Sequence, residues 1–183
     1  MIYTLTLNPA IDWELQIEHF ELNSVSRAKR SRSDCGGKGF NVSRMLRNLN
    51  TDSIAMGFVG GINGQRLESG LKEQGVATDF TWIQGETRTN VSIVTVDNAE
   101  HIKVNEPGPA VTAIEVKALI QQVERVLAPG DWWVMGGSLP LGVDTDIYAQ
   151  LIERIQQAGA HAILDSSGEA LLQGCKAGPT LVK

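Results

Sequence analysis

The feature that most constrains this chain is a rhythm of short apolar runs and helical stretches. Apolar runs at residues 2–7, 54–59, 132–135 and 161–164 alternate with segments of helical spacing, and a last run covers 180–183. Strands that alternate with helices in this way argue for a parallel sheet covered on both faces. After a glycine cluster, Phe40, Val42, Met45, Leu46 and Leu49 recur at helical spacing, with arginines between them. Residues 60–64 read as a turn, and Leu67 and Leu71 mark a helix closed by Gly75. Thr112 reads as the N-cap of a helix with Val116, Leu119, Ile120, Val123 and Leu127 on one face. Asp144 or Thr145 is expected to cap a helix reaching Ala158, with a short helix near 169–173. Residues 180–183 read as a buried strand that would leave an unpaired sheet edge.

Two extended segments break the rhythm. Trp13, Leu15 and Ile17, then Phe20 and Leu22, alternate roughly and run into a polar, basic stretch ending near Arg32. Residues 90–96 alternate cleanly, Asp97-Asn98 is a hairpin turn signal, and 101–104 return as the partner strand. These pieces are expected to form a small half-exposed flap, with segments at about 13–35 and 88–106.

Composition narrows the function. The 183 residues suffice for one domain with a core. A net charge of -5, from 21 acidic and 16 basic residues, argues against a nucleic-acid partner. No apolar run is long enough for a membrane, and the N-terminus lacks a signal-peptide pattern, so the cytoplasm is the expected location. Cys35 and Cys175 lie far apart and His19, His101 and His161 are scattered. Neither a metal site nor a Ser-His-Asp arrangement is expected from them. Arg27, Lys29, Arg30 and Arg32 cluster ahead of the glycine motif, and Lys38 lies inside it. Such a patch on an acidic chain suits a small anion, although a solvated charged strand accounts for the first four equally well.

Four places can carry chemistry. Gly36-Gly37-Lys38-Gly39 opens a helix, followed by Asn41. Glycines there let the backbone approach a ligand, and free amides face an anion. The spacing is neither that of a Walker A loop nor GxGxxG, and a plain glycine-rich helix start competes with the anion reading. Asp12 follows the first strand, where open α/β sheets bind ligands, and a turn or capping aspartate is the rival account. Gly136-Gly137-Ser138 ends a strand at the same side of the sheet. Arg88 and Asn90 open a flap strand and are placed to reach over a bound anion, or else to be solvated.

Taken in order, Thr-Leu-Asn-Pro-Ala-Ile-Asp at 6–12, Gly-Gly-Lys-Gly-Phe-Asn-Val-Ser at 36–43, Thr-Arg-Thr-Asn at 87–90, Gly-Gly-Ser-Leu-Pro at 136–140 and Leu-Asp-Ser-Ser-Gly at 164–168 form a specific set. The set resembles the phosphofructokinase-B group of the ribokinase-like sugar kinases, and the resemblance runs over essentially the whole chain. It implies a Rossmann-like three-layer α/β/α fold with a small β-sheet lid, and lids of two subunits clasped in a homodimer. It implies transfer of a phosphoryl group from ATP, with Mg²⁺, to a ketose phosphate, fructose 1-phosphate being first in line. By the matching motifs Asp12 would hold sugar hydroxyls, and Gly36, Gly37, Lys38 and Asn41 would line the sugar-phosphate site. Arg88, Asn90 and Ser138 would complete it. Phosphate recognition would fall on Lys38 and Arg88, and Arg27 and Lys29 would reach a site from the lid, the chain's own or the neighbour's.

The same resemblance marks a departure. Members of the group continue into an Asn-x-x-Glu motif and then a Gly-Ala-Gly-Asp motif whose Asp is the catalytic base, and neither occurs in these residues. The chain is therefore expected to be an N-terminal portion with no catalytic residue and no metal ligand of its own, binding ATP and Mg²⁺ poorly and inactive alone. Asp165 matches another segment, not the base. Competing readings are a non-enzymatic sugar-phosphate-binding or dimerising remnant, a ribokinase-like kinase for a different sugar, and, well behind, a dinucleotide-dependent oxidoreductase.

Overall fold

The computed structural model describes residues 1–97 and 100–183. In chain order the elements are β1 (Ile2–Thr6), β2 (Ala10–Ile17), β3 (Arg30–Gly36), α1 (Lys38–Asn48), β4 (Ile54–Val59), α2 (Gly61–Glu73), β5 (Ala77–Trp82), β6 (Arg88–Thr95), β7 (His101–Asn105), α3 (Ala113–Val126), β8 (Trp132–Gly136), α4 (Ile147–Gln157), β9 (His161–Asp165), α5 (Gly168–Lys176) and β10 (Leu181–Val182). Among the described residues no helix is long and apolar enough to cross a membrane.

A six-stranded sheet has the order β10-β9-β8-β1-β4-β5, and every neighbouring pair in it is parallel. The chain builds outward from β1 to β4 and β5, then returns to β8 on the other side of β1. The strand order thus reverses beside β1, which is where open α/β sheets leave a ligand crevice. Two cores flank the sheet. Phe40 of α1 and Leu67 and Leu71 of α2 pack on one face with Ala55, Val59 and Phe80. Leu119 and Val123 of α3, the apolar face of α4 and Ala170 of α5 pack on the other with Leu5, Trp133, Met135 and Leu164. Thr112 caps α3 in a capping box with Glu115, as its helical spacing suggests.

Several expectations are corrected here. β5 was not legible, because Thr78, Asp79 and Thr81 blur its period, yet it buries Phe80 and Thr81 against the sheet. Residues 61–64 are the first turn of α2 rather than a loop, with Gly60 as N-cap. The N-cap of α4 is Asp146, not Asp144 or Thr145. Within α1 the helix is where the spacing predicts, but Met45 and Leu49 are 60% and 66% exposed. Ser43 faces inward instead and joins Thr4 and Ser53 through hydroxyl contacts of 2.7 Å and 2.9 Å. β10 is two residues long and exposed, not a buried strand.

A second sheet of order β3-β2-β6-β7 lies beside the first. β2 pairs antiparallel with β3 and parallel with β6, while β6 and β7 form the expected hairpin. Asn98 of its turn lies outside the described residues. The extended stretch from Trp13 is shorter than its pattern suggests: Phe20 and Leu22 belong to the loop before β3, and Leu22 is 91% exposed. Asp12 lies within β2 rather than in the turn that precedes it.

Candidate functional site

The open end of the parallel sheet sets the floor. Thr6, Gly136 and Asp165 stand side by side in register at the C-terminal ends of β1, β8 and β9. α1 begins directly against this row, where Gly39 N donates to Thr6 Oγ1 at 3.1 Å. A β-carbon at 39 would meet Thr6 Oγ1 at 2.8 Å and Leu5 O at 3.0 Å, and Gly37 takes φ 149°, which disfavours a side chain. The glycine cluster is thus required by packing.

The strands of the second sheet bring Asp12, Asn90 and Gly36 together. Asp12 and Asn90 are cross-strand neighbours, and Asn90 Nδ2 donates to Asp12 Oδ1 at 2.7 Å. Asn90 is 8% exposed, and among the described residues its Oδ1 has no partner. A buried amide acceptor left unspent is costly, and beside a carboxylate it is suited to a hydroxyl donor.

Lys38 turns toward the floor instead. Its Nζ donates to Asp165 Oδ1 at 2.5 Å, and Lys183 lies 3.7 Å from the same carboxylate. Lys38, Asn41, Asp165 and Lys183 line a cavity of about 340 Å³. Asn41 is exposed on the outer side of α1, and its Oδ1 accepts from Arg44. Ser138 Oγ accepts a long 3.4 Å bond from Asn8 Nδ2. Its loop is held through Gly137 O, which accepts from Tyr148 Oη at 3.1 Å and Ser166 Oγ at 3.0 Å. Burial, aided by Asp165, pushes the Tyr148 hydroxyl well above its usual range, so it remains a donor.

Arg88 is partly buried, and its guanidinium donates to two backbone carbonyls, Glu106 O at 2.7 Å and Asn8 O at 2.9 Å. Burial lowers its pKa, with Asp12 and Glu106 opposing the shift. Arg27 and Lys29 occupy the exposed loop before β3, and Lys29 is paired with Glu18. The structure therefore gathers Asp12, Gly36 and Asn90 at one point and sets Lys38 against Asp165. Asn41 shares the Lys38–Asp165 cavity, Ser138 and Arg88 both meet Asn8, and Arg27 and Lys29 remain on an exposed loop.

Thr6 and Asn8 were missed as contributors. Both belong to the Thr-Leu-Asn-Pro stretch, which reads as the end of a strand, and only the fold shows what they hold. For Mg²⁺, which favours octahedral oxygen donors, the donor set does not fit: among the described residues no group of three or more His, Cys, Asp or Glu side chains is placed to hold a metal. Asp12 and Asp165, the acids at this edge, are committed to Asn90 and Lys38.

A parallel sheet with an open switch point, joined to a small second sheet that carries a carboxylate, defines the ribokinase-like α/β class. Within it the chain belongs to the pfkB family of carbohydrate kinases, which it matches over residues 4–183. It is 38% identical over its full length to a 1-phosphofructokinase of Bacillus subtilis (strain 168). It is 36% identical, again over its full length, to a tagatose-6-phosphate kinase of Staphylococcus epidermidis. In each case it spans 59% of the relative's own length. The crystal structure of phosphofructokinase-2 from Escherichia coli in complex with fructose-6-phosphate superposes with a TM-score of 0.92 at 32% identity, covering 99% of this chain and 60% of that one.

Proposed function

We propose that this chain supplies the sugar-phosphate side of an enzyme that transfers the terminal phosphoryl group of ATP to a ketose phosphate, with fructose 1-phosphate as the substrate. The observation that carries the reading is the Asp12–Asn90–Gly36 cluster at the open sheet edge. A carboxylate and a buried amide suit sugar hydroxyls, and the two cations of the same motifs, Lys38 and Arg88, suit a phosphate. The remaining length of the relatives is the source we assign to the ATP and Mg²⁺ sites and to the catalytic base, since these 183 residues contain no Gly-Ala-Gly-Asp motif.

Calorimetry with fructose 1-phosphate and with fructose tests the site: the phosphorylated sugar is expected to bind more tightly, and equal or absent binding of both overturns it. A coupled ADP-release assay with ATP, Mg²⁺ and fructose 1-phosphate tests the division of labour. The 183-residue chain is expected to show no turnover, which an extension through the missing motifs restores. Binding without turnover in the extended chain as well would favour a sugar-phosphate-binding protein.

The second sheet supports a homodimer, with that sheet acting as a lid. Cross-strand registers place Trp13, Val91 and Val104 in one row and Leu15, Ile93 and Ile102 in the next, on the face opposite Asp12 and Asn90. Ile102 and Val104 are 48% and 61% exposed. An exposed apolar stretch of sheet fits a copy of itself. Arg27 and Lys29, on the loop beside that face, would then serve the partner's site.

A further inference from the structure

Three of the four connections between the two sheets meet at one residue. The connections are residues 7–9, residue 37, residues 83–87 and residues 106–112. Arg88 is the first residue after the third of these. It donates through Nη2 to the carbonyl of Asn8 in the first and through Nη1 to the carbonyl of Glu106 in the last. The surroundings hold these carbonyls in place. Asn8 Nδ2 donates to Pro107 O at 3.0 Å and Leu139 O at 3.3 Å, and the Glu106 carboxylate accepts from Thr89 N at 2.8 Å.

Both partners of the guanidinium are neutral carbonyls, so its charge is not neutralised by a bonded carboxylate. A guanidinium has five N–H donors in a rigid plane, and two are engaged here. Nε is buried with no acceptor among the described residues. The register also sets Arg88 beside Ala10, which lies beside Gly36, so the hinge and the glycine cluster are about 10 Å apart at the usual strand spacing.

Resting on the sugar-phosphate reading above, we infer that Arg88 is a strut that transmits occupancy of the ligand site to the hinge between the sheets. The terminal nitrogens of the guanidinium tie the Asn8 and Glu106 carbonyls, and an N–H left over on them meets the anion. A bound anion thereby fixes the orientation of the plane that holds both connections. Lysine keeps the charge but offers its donors from a single nitrogen, so it cannot span both carbonyls and an anion. Arg88 is in this respect a positioning residue as well as a ligand contact.

The test is amide hydrogen exchange at Thr89, Glu106 and Val111, with and without fructose 1-phosphate, in the native chain and in Arg88→Lys. Binding is measured in parallel by calorimetry. In the native chain the ligand is expected to slow exchange at these amides by roughly tenfold, the scale of one or two hydrogen bonds. In Arg88→Lys the ligand still binds, more weakly, and the slowing disappears. Equal slowing in Arg88→Lys, or bound ligand with no change at the native hinge, overturns the inference. If the native chain binds no sugar phosphate, the site reading fails, and with it the transmission. The clamp itself is then read in the ligand-free chains, where unaltered exchange in Arg88→Lys would overturn that too. Should Arg88→Lys not fold, Arg88→Gln, which keeps one donor to a carbonyl and removes the charge, replaces it with the same expected loss of slowing.

Discussion

The carboxylate of Asp12 occupies the space that a β-carbon on Gly36 would need: such an atom would lie 2.7 Å from Asp12 Cγ and 2.9 Å from its Oδ1. These residues are brought together by adjacent strands of the second sheet, β2 and β3, and neither can change without the other. Gly36→Ala is therefore expected to displace the carboxylate and to destabilise the chain by about 1–3 kcal/mol, the usual cost of overpacking. Asp12→Ala in the same chain should return part of that stability while leaving sugar-phosphate binding lost. Denaturant titration of the double-mutant cycle checks it, and additive losses would mean the two side chains do not compete for space.

Lys38 is a cation at the sheet edge, paired with the carboxylate of Asp165. Lys38→Ala is expected to weaken fructose 1-phosphate binding by about 1.5–3 kcal/mol, the range of a charge-assisted hydrogen bond. Lys38 is 49% exposed in this pair, so Asp165→Asn should change stability by no more than about 1 kcal/mol. Unchanged calorimetric affinity in Lys38→Ala would remove it from the site.

The apolar rows of the second sheet predict an assembly. Ile102→Lys places a charge on the exposed apolar part of this face, on its edge strand β7. Sedimentation at matched concentration should show a dimer for the native chain and a monomer for the variant, with the far-UV spectrum retained. A native monomer would show that this face is not self-complementary.

Acid should loosen the start of α3. Partial burial pushes the Glu115 carboxyl up, but hydrogen bonds from Thr112 N, Gln84 N and the Thr112 hydroxyl outweigh it and hold it below its ordinary value of 4.5. A depressed folded pKa contributes stability that is present above the unfolded pKa and lost as pH falls through the folded one. Because the carboxyl is only slightly buried, the contribution is under about 1 kcal/mol. The stability gap between the native chain and Glu115→Gln should close as pH is lowered past 4.5. A constant gap would show that the carboxylate's charge adds nothing to the cap.

Legibility followed burial. α3 was readable because Leu119 and Val123 point into a core that its spacing anticipates. α1 was readable as a helix but not in its orientation, since Ser43 turns inward beside Phe40, satisfied by hydroxyls from β1 and from residue 53. β5 escaped because its polar residues are absorbed by Gln122 of α3, whose side chain bonds both Asp79 and Thr81. The parallel pairing of β2 with β6 escaped as well, because a hairpin signal reports only its own turn.

The order of strands and helices, and the placing of a glycine cluster at a helix start, followed from the sequence alone, because periodicity and backbone freedom are local properties. What the candidate site is made of did not. Asp12 meets Asn90 across 78 residues, Lys38 meets Asp165 across 127, and Arg88 meets the Asn8 carbonyl across 80. Only the tertiary structure, by folding distant segments against one edge of a parallel sheet, decided that one carboxylate faces an amide, another a lysine, and the arginine two carbonyls of the hinge.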